Sequence, residues 1–215
     1  MKPEFHTSNR NKMMNALPDG ALVVLFSGYA PRKRADEDYP FFADRNFVYL
    51  TGITRDAGLV YMAKKTGTSF DEILFLLPPD MMKERWTGRR TKADEATAVS
   101  GITNIAYTDD FRTKFREWAR DCSAVYLDID GTREERDFTE ANRFAADVLA
   151  HGVNVANVRP VLAGLRTIKA PCEIAAMREA VRITGEGIRA MMRGVRDGMK
   201  EYEIKQLYDA ALVAN

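Results

Sequence analysis

Residues 36–52 read DEDYPFFADRNFVYLTG, and the rest of the chain is organised around them. Three carboxylates, Asp36, Glu37 and Asp38, lead into Tyr39-Pro40, where the residue before proline is pushed to an extended conformation. Residues 46–51 are rich in β-branched and aromatic side chains, which predicts a strand buried in a sheet. Gly52 closes that strand, because glycine accepts backbone angles other residues avoid. A polar segment held at a strand edge is where binding groups tend to sit. The plainer alternative is a solvated turn ahead of a core strand.

Upstream, residues 4–17 predict a helix with Met13, Met14 and Leu17 on its apolar edge, closed by a turn at Pro18-Asp19-Gly20. Residues 21–27, ALVVLFS, form an unbroken apolar run that suits a strand covered on both faces. Arg32, Lys33 and Arg34 form a basic run too short to signify more than a solvated loop. Downstream, strands are predicted at 58–63 and 72–77, and with 46–51 their short turns suggest an antiparallel meander. A short helix at 93–100 precedes a strand at 102–107. Asp109 or Asp110 can cap a helix running to about Arg120, with Phe111, Phe115 and Trp118 on its core side. A sixth strand at 124–129 and a helix at 138–150, ending on His151-Gly152, complete the inventory. Six strands joined partly by hairpins and partly by crossovers predict an α/β domain over residues 1–157, a mixed six-stranded sheet flanked by helices on both faces.

The character changes after that. Pro171 opens a long helix whose Ile174, Met177, Val181, Ile188 and Met191 trace one face, and a second helix carries Ile204, Leu207, Tyr208, Ala211 and Leu212. Two such helices bury too little surface to stand as a domain. Residues 158–215 are therefore expected to be a connector and the opening of a second, incomplete domain.

Composition excludes several classes. The 215 residues are 46% hydrophobic and 29% charged with formal net charge +1, which argues against a dedicated nucleic-acid binder. No apolar run approaches membrane-spanning length and the start lacks a signal-peptide core, so the cytoplasm is expected. Cys122 and Cys172, far apart, suggest a reducing compartment with neither a disulfide framework nor a zinc knuckle.

Candidate chemistry is sparse. His6, near the terminus, and His151, at a helix end, are the only histidines, and both read as structural or solvent-facing. Metal-helix, nucleophile-elbow, phosphate-loop and dinucleotide motifs are missing. Asp128 and Asp130 would point to the same face of a strand end and could share a divalent ion, or simply form a polar strand end. Trp86 lies in Arg85-Trp86-Thr87-Gly88-Arg89-Arg90. There it could offer a rigid apolar surface to a ligand or partner, with the arginines meeting a carboxylate, or pack over its own domain's edge.

Four segments together resemble the N-terminal part of an Xaa-Pro aminopeptidase (aminopeptidase P) of the creatinase/prolidase superfamily. They are ADEDYPFFADRNFVYLTGI at 35–53, EILFLLPPD at 72–80 with ERWTGRR at 84–90, VLAGLRTIKAPCEIAAMREAVRIT at 161–184, and RDGMKEYEI at 196–204. The resemblance implies a ribonuclease H-like N-terminal domain followed by the first two helices of a truncated pita-bread domain. It implies hydrolysis of the bond between an N-terminal residue and a following proline by two divalent metal ions, commonly manganese. In the family these are held by two aspartates, a histidine and two glutamates. None of those five can be placed on this sequence, so no catalytic or metal residue is assigned and the chain alone is expected to be inactive. The resemblance further implies a homodimer or homotetramer, in which Trp86 reaches a neighbouring subunit's substrate site. Asp36 is a weaker candidate for that role, and Arg89 is a third substrate-binding candidate. Two departures stand out: Phe41-Phe42 replaces an arginine common after Tyr-Pro, and Asp197 replaces the usual proline before Gly-Met. A prolidase-like dipeptidase, a creatinase-like hydrolase and a non-enzymatic peptide-binding module, as in a histone chaperone of the same superfamily, are the alternatives. The chain lacks the acidic tracts of a histone partner.

Overall fold

The computed structural model describes residues 1–129 and 139–215. It divides into two compact units, Met1–Thr167 and Ile168–Asn215.

The first unit is built on β1 (Ala21–Phe26), whose six residues are all buried. Side chains alternate across a strand, and here both alternating sets meet a core. Ala21, Val23 and Leu25 join one apolar cluster. Leu22, Val24 and Phe26 join the other. That arrangement explains the unbroken apolar run. The sheet has the order β6-β5-β4-β1-β7-β8. Its other members are β4 (Val60–Thr66), β5 (Ser69–Leu76), β6 (Ile105–Tyr107), β7 (Ala124–Leu127) and β8 (Val155–Asn157). β4 runs antiparallel to β1 and β5. β7 is parallel to β1 and to β8, and β6 is parallel to β5. The sheet is mixed and six-stranded, as the sequence predicts.

One of the six differs from the expectation. Residues 46–51 are not a strand but lie in helix α2 (Arg45–Thr51), and the sixth strand is β8, which the sequence reading leaves unassigned. The caps decide this. The Asp44 carboxylate accepts from the backbone N–H groups of Asn46 (2.8 Å) and Phe47 (3.0 Å). Gly52 takes φ 74° and donates its N–H to the Val48 carbonyl. Both helix ends are thus satisfied locally, which outweighs the strand preference of Phe47, Val48 and Tyr49. The antiparallel meander therefore reduces to the β4–β5 hairpin beside β1. A Cβ at Gly52 would lie 2.6 Å from the His6 ring. Gly52→Ala is expected to lower unfolding free energy by about 2 kcal/mol, through the positive φ and this clash. A urea titration by circular dichroism checks it.

Helix α1 (Pro3–Ala16) covers the first face with α2, and buries Met13 and Met14. His6 on α1 is buried, donates from Nδ1 to the Tyr49 carbonyl (3.0 Å), and is held below its ordinary pKa chiefly by burial. Helix α4 (Ala93–Ser100) completes this layer, and Val158 and, on α7 (Arg159–Thr167), Leu162 enter the same core. The first unit therefore includes α7, beyond residue 157. The opposite face carries α5 (Thr108–Ala119) and α6 (Glu140–Ala150), whose Phe111, Phe115 and Phe144 rings pack together. The α5 cap also differs: Tyr107 is the N-cap, without a side-chain cap bond, and Asp109 and Asp110 lie inside the first turn. There they still oppose the positive end of the helix. The charged run beyond β1 forms a small hairpin, β2 (Arg32–Arg34) and β3 (Glu37–Asp38), rather than a bare loop.

The second unit is a helical pair, α8 (Pro171–Gly194) and α9 (Glu201–Val213). Glycine permits the close approach: a Cβ at Gly187 would lie 2.5 Å from the Tyr208 ring, and one at Gly194 would lie 2.5 Å from Leu207. Ile174, Met177, Val181 and Ile188 on α8 are exposed. Among the described residues no helix is long and apolar enough to cross a membrane.

Candidate functional site

Two regions of the first unit carry the functional candidates. The first is α3 (Met81–Thr87) and the loop after it. Asp80 caps the helix by accepting from the Lys83 N–H (3.1 Å), and Gly88 ends it at φ 89°. No residue of this helix is buried. Trp86 is 86% exposed, and Met81 and Met82 beside it are also exposed. The reading of Trp86 as packing over its own domain's edge does not hold. Large apolar side chains left in water suit a contact surface.

The loop after α3 is tied down. The Arg89 guanidinium forms two hydrogen bonds with the Glu95 carboxylate (2.9 and 2.7 Å), pulling that carboxyl down to about 2. The Arg89 carbonyl accepts from Arg55 (2.7 Å), the Thr91 N–H donates to Asp56 (2.8 Å), and Arg90 donates to the Pro78 carbonyl. Arg89 is therefore engaged within its own chain. The loop it braces holds Gly88 and hence the end of the helix that presents Trp86. Asp36 lies elsewhere, exposed in the turn of the β2–β3 hairpin. That hairpin is stitched by Lys33–Glu37 (2.6 Å), Arg34–Glu37 (3.0 Å) and Arg32–Asp38 (3.2 Å) ion pairs. Trp86 and Arg89 thus share one neighbourhood, and no described hydrogen bond or ion pair links Asp36 to it.

The second region is a cleft of about 1260 Å³ at the carboxyl ends of β1 and β7. Its walls include Tyr29, Asp44, Arg112, Asp128, Glu140 and Arg143. These two strands are parallel neighbours, yet the helices that follow them pack on opposite faces. Phe47 and Leu50 of α2 join one core cluster, and Phe144 and Val148 of α6 join the other. Such a divergence opens a crevice outside the carboxyl ends of the strands. Asp128 has a partner at each oxygen there: Oδ1 is in an ion pair with Arg159 (2.9 Å) and Oδ2 accepts from Asn46 Nδ2 (2.6 Å). Asn46 Oδ1 in turn accepts from Arg166 (2.6 Å). The pairing of Asp128 with Asp130 lies outside the described residues.

Glu140 is the residue that sequence reading missed. It is the first residue of α6, behind the N-cap Thr139, and nothing local distinguishes it from an ordinary helix-start glutamate. Its Oε2 is buried without a hydrogen-bond partner. Burial raises its carboxyl to about 7, with Arg143 and Arg112 pulling the other way. A carboxyl with a raised pKa stabilises the fold when neutral. That contribution is complete below its ordinary value of 4.5 and lost as pH rises toward about 7. Glu140→Gln is expected to flatten the pH dependence in that window and to add about 1 kcal/mol at pH 8, the full shift being discounted for partial solvent access. Guanidinium titrations of both proteins at pH 4.5 and 8 measure it.

Among the described residues no three His, Cys, Asp or Glu side chains gather as a metal-ion ligand set. The described residues do not fit a two-metal centre, and no chemical step is assigned through one.

The family profile described as "Aminopeptidase P, N-terminal domain" matches residues 6–126. Among curated proteins, the Xaa-Pro aminopeptidase of Haemophilus influenzae is 29% identical over 205 residues, covering 95% of this chain and 46% of that protein. Human Xaa-Pro aminopeptidase 3 is 26% identical over 189 residues, covering 82% of this chain and 37% of that protein. A Bacillus anthracis structure assigned as an aminopeptidase P superposes over 100% of this chain and 52% of its own, with TM-score 0.93 and 33% identity. The Escherichia coli aminopeptidase P solved with the inhibitor Pro-Leu shares the fold at TM-score 0.83 and 22% identity, over 100% of this chain and 50% of its own. The chain spans about half the length of the three bacterial relatives and 37% of the human one. The mixed sheet with its two helix layers, the exposed Trp86 block within residues 6–126, and these likenesses agree, and the chain belongs to the aminopeptidase P N-terminal domain family.

Proposed function

We propose that this chain is the N-terminal part of a metal-dependent Xaa-Pro aminopeptidase, which releases an N-terminal residue from a following proline. The observation that carries this is the match along 95% of the chain to an Xaa-Pro aminopeptidase, joined to the family profile over residues 6–126. On this reading α8 and α9 are the first two helices of a pita-bread domain whose remaining residues supply the ligands for two divalent ions, manganese by preference. The exposed apolar face of α8 suits further packing of that kind. The first unit contributes contacts in a homodimer or homotetramer, and its Trp86 forms one wall of a neighbouring subunit's substrate site. Arg89 then positions Trp86 through the braced loop, and Asp36 sits at the outer rim. The setting is cytoplasmic.

The test is a substrate panel for the protein encoded by the whole gene, with manganese present. Tripeptides with proline second are expected to be cleaved, and proline dipeptides and creatine are not. Cleavage of dipeptides or creatine instead would move the protein to a prolidase-like or creatinase-like reading. No turnover of any of them would leave the peptide-binding module.

A further inference from the structure

We infer that the cleft at the carboxyl ends of β1 and β7 is a ligand site for a primary ammonium group carried on an apolar body, with the Glu140 carboxylate as its receptor. The cleft is a cavity where the helices following two parallel strands diverge to opposite faces, a place where α/β sheets commonly take ligands. Its cations are already committed. Arg112 pairs with Asp147 and lies 5.1 Å over the Phe144 ring, Arg159 pairs with Asp128, and Arg32 pairs with Asp38. Arg143 acts electrostatically on Glu140 and on Tyr29. Of the carboxylates, Asp128 is paired with Arg159 and accepts a hydrogen bond from Asn46, and Asp44 accepts two backbone N–H groups of α2. Among the described residues, Asp128 Oδ1 and Glu140 Oε2 are both buried acceptors without a hydrogen-bond partner, but Asp128 Oδ1 has the Arg159 guanidinium at 2.9 Å, whereas Glu140 Oε2 has no ion pair to offset its burial. An entering anion would have to break an existing ion pair. An entering ammonium would fill the acceptor and gain a charge-assisted hydrogen bond. The apolar body has a wall to meet in Phe26, Phe111 and Phe144, whose rings lie 5.4 to 6.1 Å apart between centroids, Phe26 edge to face with the other two.

A buried, unsatisfied carboxyl costs the fold energy, and the isosteric amide is expected to be the more stable protein. A residue that weakens the fold in this manner is a signature of a binding group. The site rests on the cleft alone and stands whether or not the peptidase reading does.

The probe is phenethylamine, with N-acetylphenethylamine as the uncharged control. Binding to the protein expressed from the whole gene is followed by isothermal titration at pH 5.5 and pH 8. Saturable binding of phenethylamine at pH 8 is expected, about tenfold tighter than that of the control and weakening by a similar factor at pH 5.5, where Glu140 is neutral. Glu140→Gln is expected to remove the difference between the two probes while melting no lower than the parent. If Glu140→Gln does not fold, the charged-against-uncharged comparison in the unmutated protein decides. Equal affinity for the two probes, no saturable binding at pH 8, or undiminished preference for the amine in Glu140→Gln would overturn the site. Loss of peptidase activity would not bear on it.

Discussion

Arg10→Ala is expected to lower the unfolding free energy of the first unit by about 3–5 kcal/mol, the range for breaking a buried ion pair by removing one partner. Arg10 on α1 has no exposed surface. Its Nε and Nη2 donate to the Glu72 carboxylate on β5 (2.7 and 3.2 Å). Its Nη1 donates to the carbonyls of Leu50 and Ser100, each at 2.8 Å. Those two carbonyls belong to the last turns of α2 and α4, where backbone acceptors lack helical partners. One guanidinium therefore satisfies two helix ends and fastens them to the sheet. Alanine would leave the carbonyls and part of a carboxylate buried without donors. Arg10→Lys is expected to recover little, because an ammonium cannot present the planar fork these acceptors meet. Urea titrations followed by tryptophan fluorescence supply the numbers. A loss below about 1 kcal/mol for Arg10→Ala would show that the network is not what holds the α1 layer to the sheet.

Trp86→Ala is expected to act in the opposite manner, sparing stability and harming turnover. At 86% exposure the ring contributes little to its own domain, so the change in unfolding free energy should stay within about 0.5 kcal/mol. If the ring forms a wall of a neighbour's substrate site, the intact enzyme should lose about tenfold or more in kcat/KM for a proline tripeptide. Trp86→Phe should recover part of it, since a smaller ring retains part of the apolar wall. Steady-state kinetics beside a thermal melt separate the two effects. Unchanged kinetics with a dissociated oligomer would leave Trp86 as an assembly contact only.

Much of this architecture is legible from sequence because burial writes a simple pattern into it. The apolar run at 21–27 signals a strand with two covered faces, and β1 supplies both clusters. The face formed by Phe111 and Phe115 is buried as its spacing predicts. Where the reading departs from the structure, a local preference met a stronger neighbour. Phe47, Val48 and Tyr49 favour a strand, but Asp44 and Gly52 supply a cap at each end and the segment closes into α2. β8 is three residues long and only half-buried, so no run of apolar residues marks it. The candidate site divides similarly. Trp86 stands out because its neighbours are arginines and glycine, and it is exposed. Glu140 does not, because the cleft it lines is shared with residues distant in sequence, such as Arg112 on α5 and Tyr29 after β1. Arg89 looks like a free carboxylate binder in sequence, and only the fold shows it occupied by Glu95.

The most direct measurement is release of the first residue from a tripeptide with proline second, by the protein expressed from the whole gene, before chelation, after chelation, and after manganese is returned. An Xaa-Pro aminopeptidase should give cleavage that chelation abolishes and manganese restores, with a matched tripeptide carrying alanine second left intact. Cleavage that survives chelation, or that ignores the proline, would contradict it.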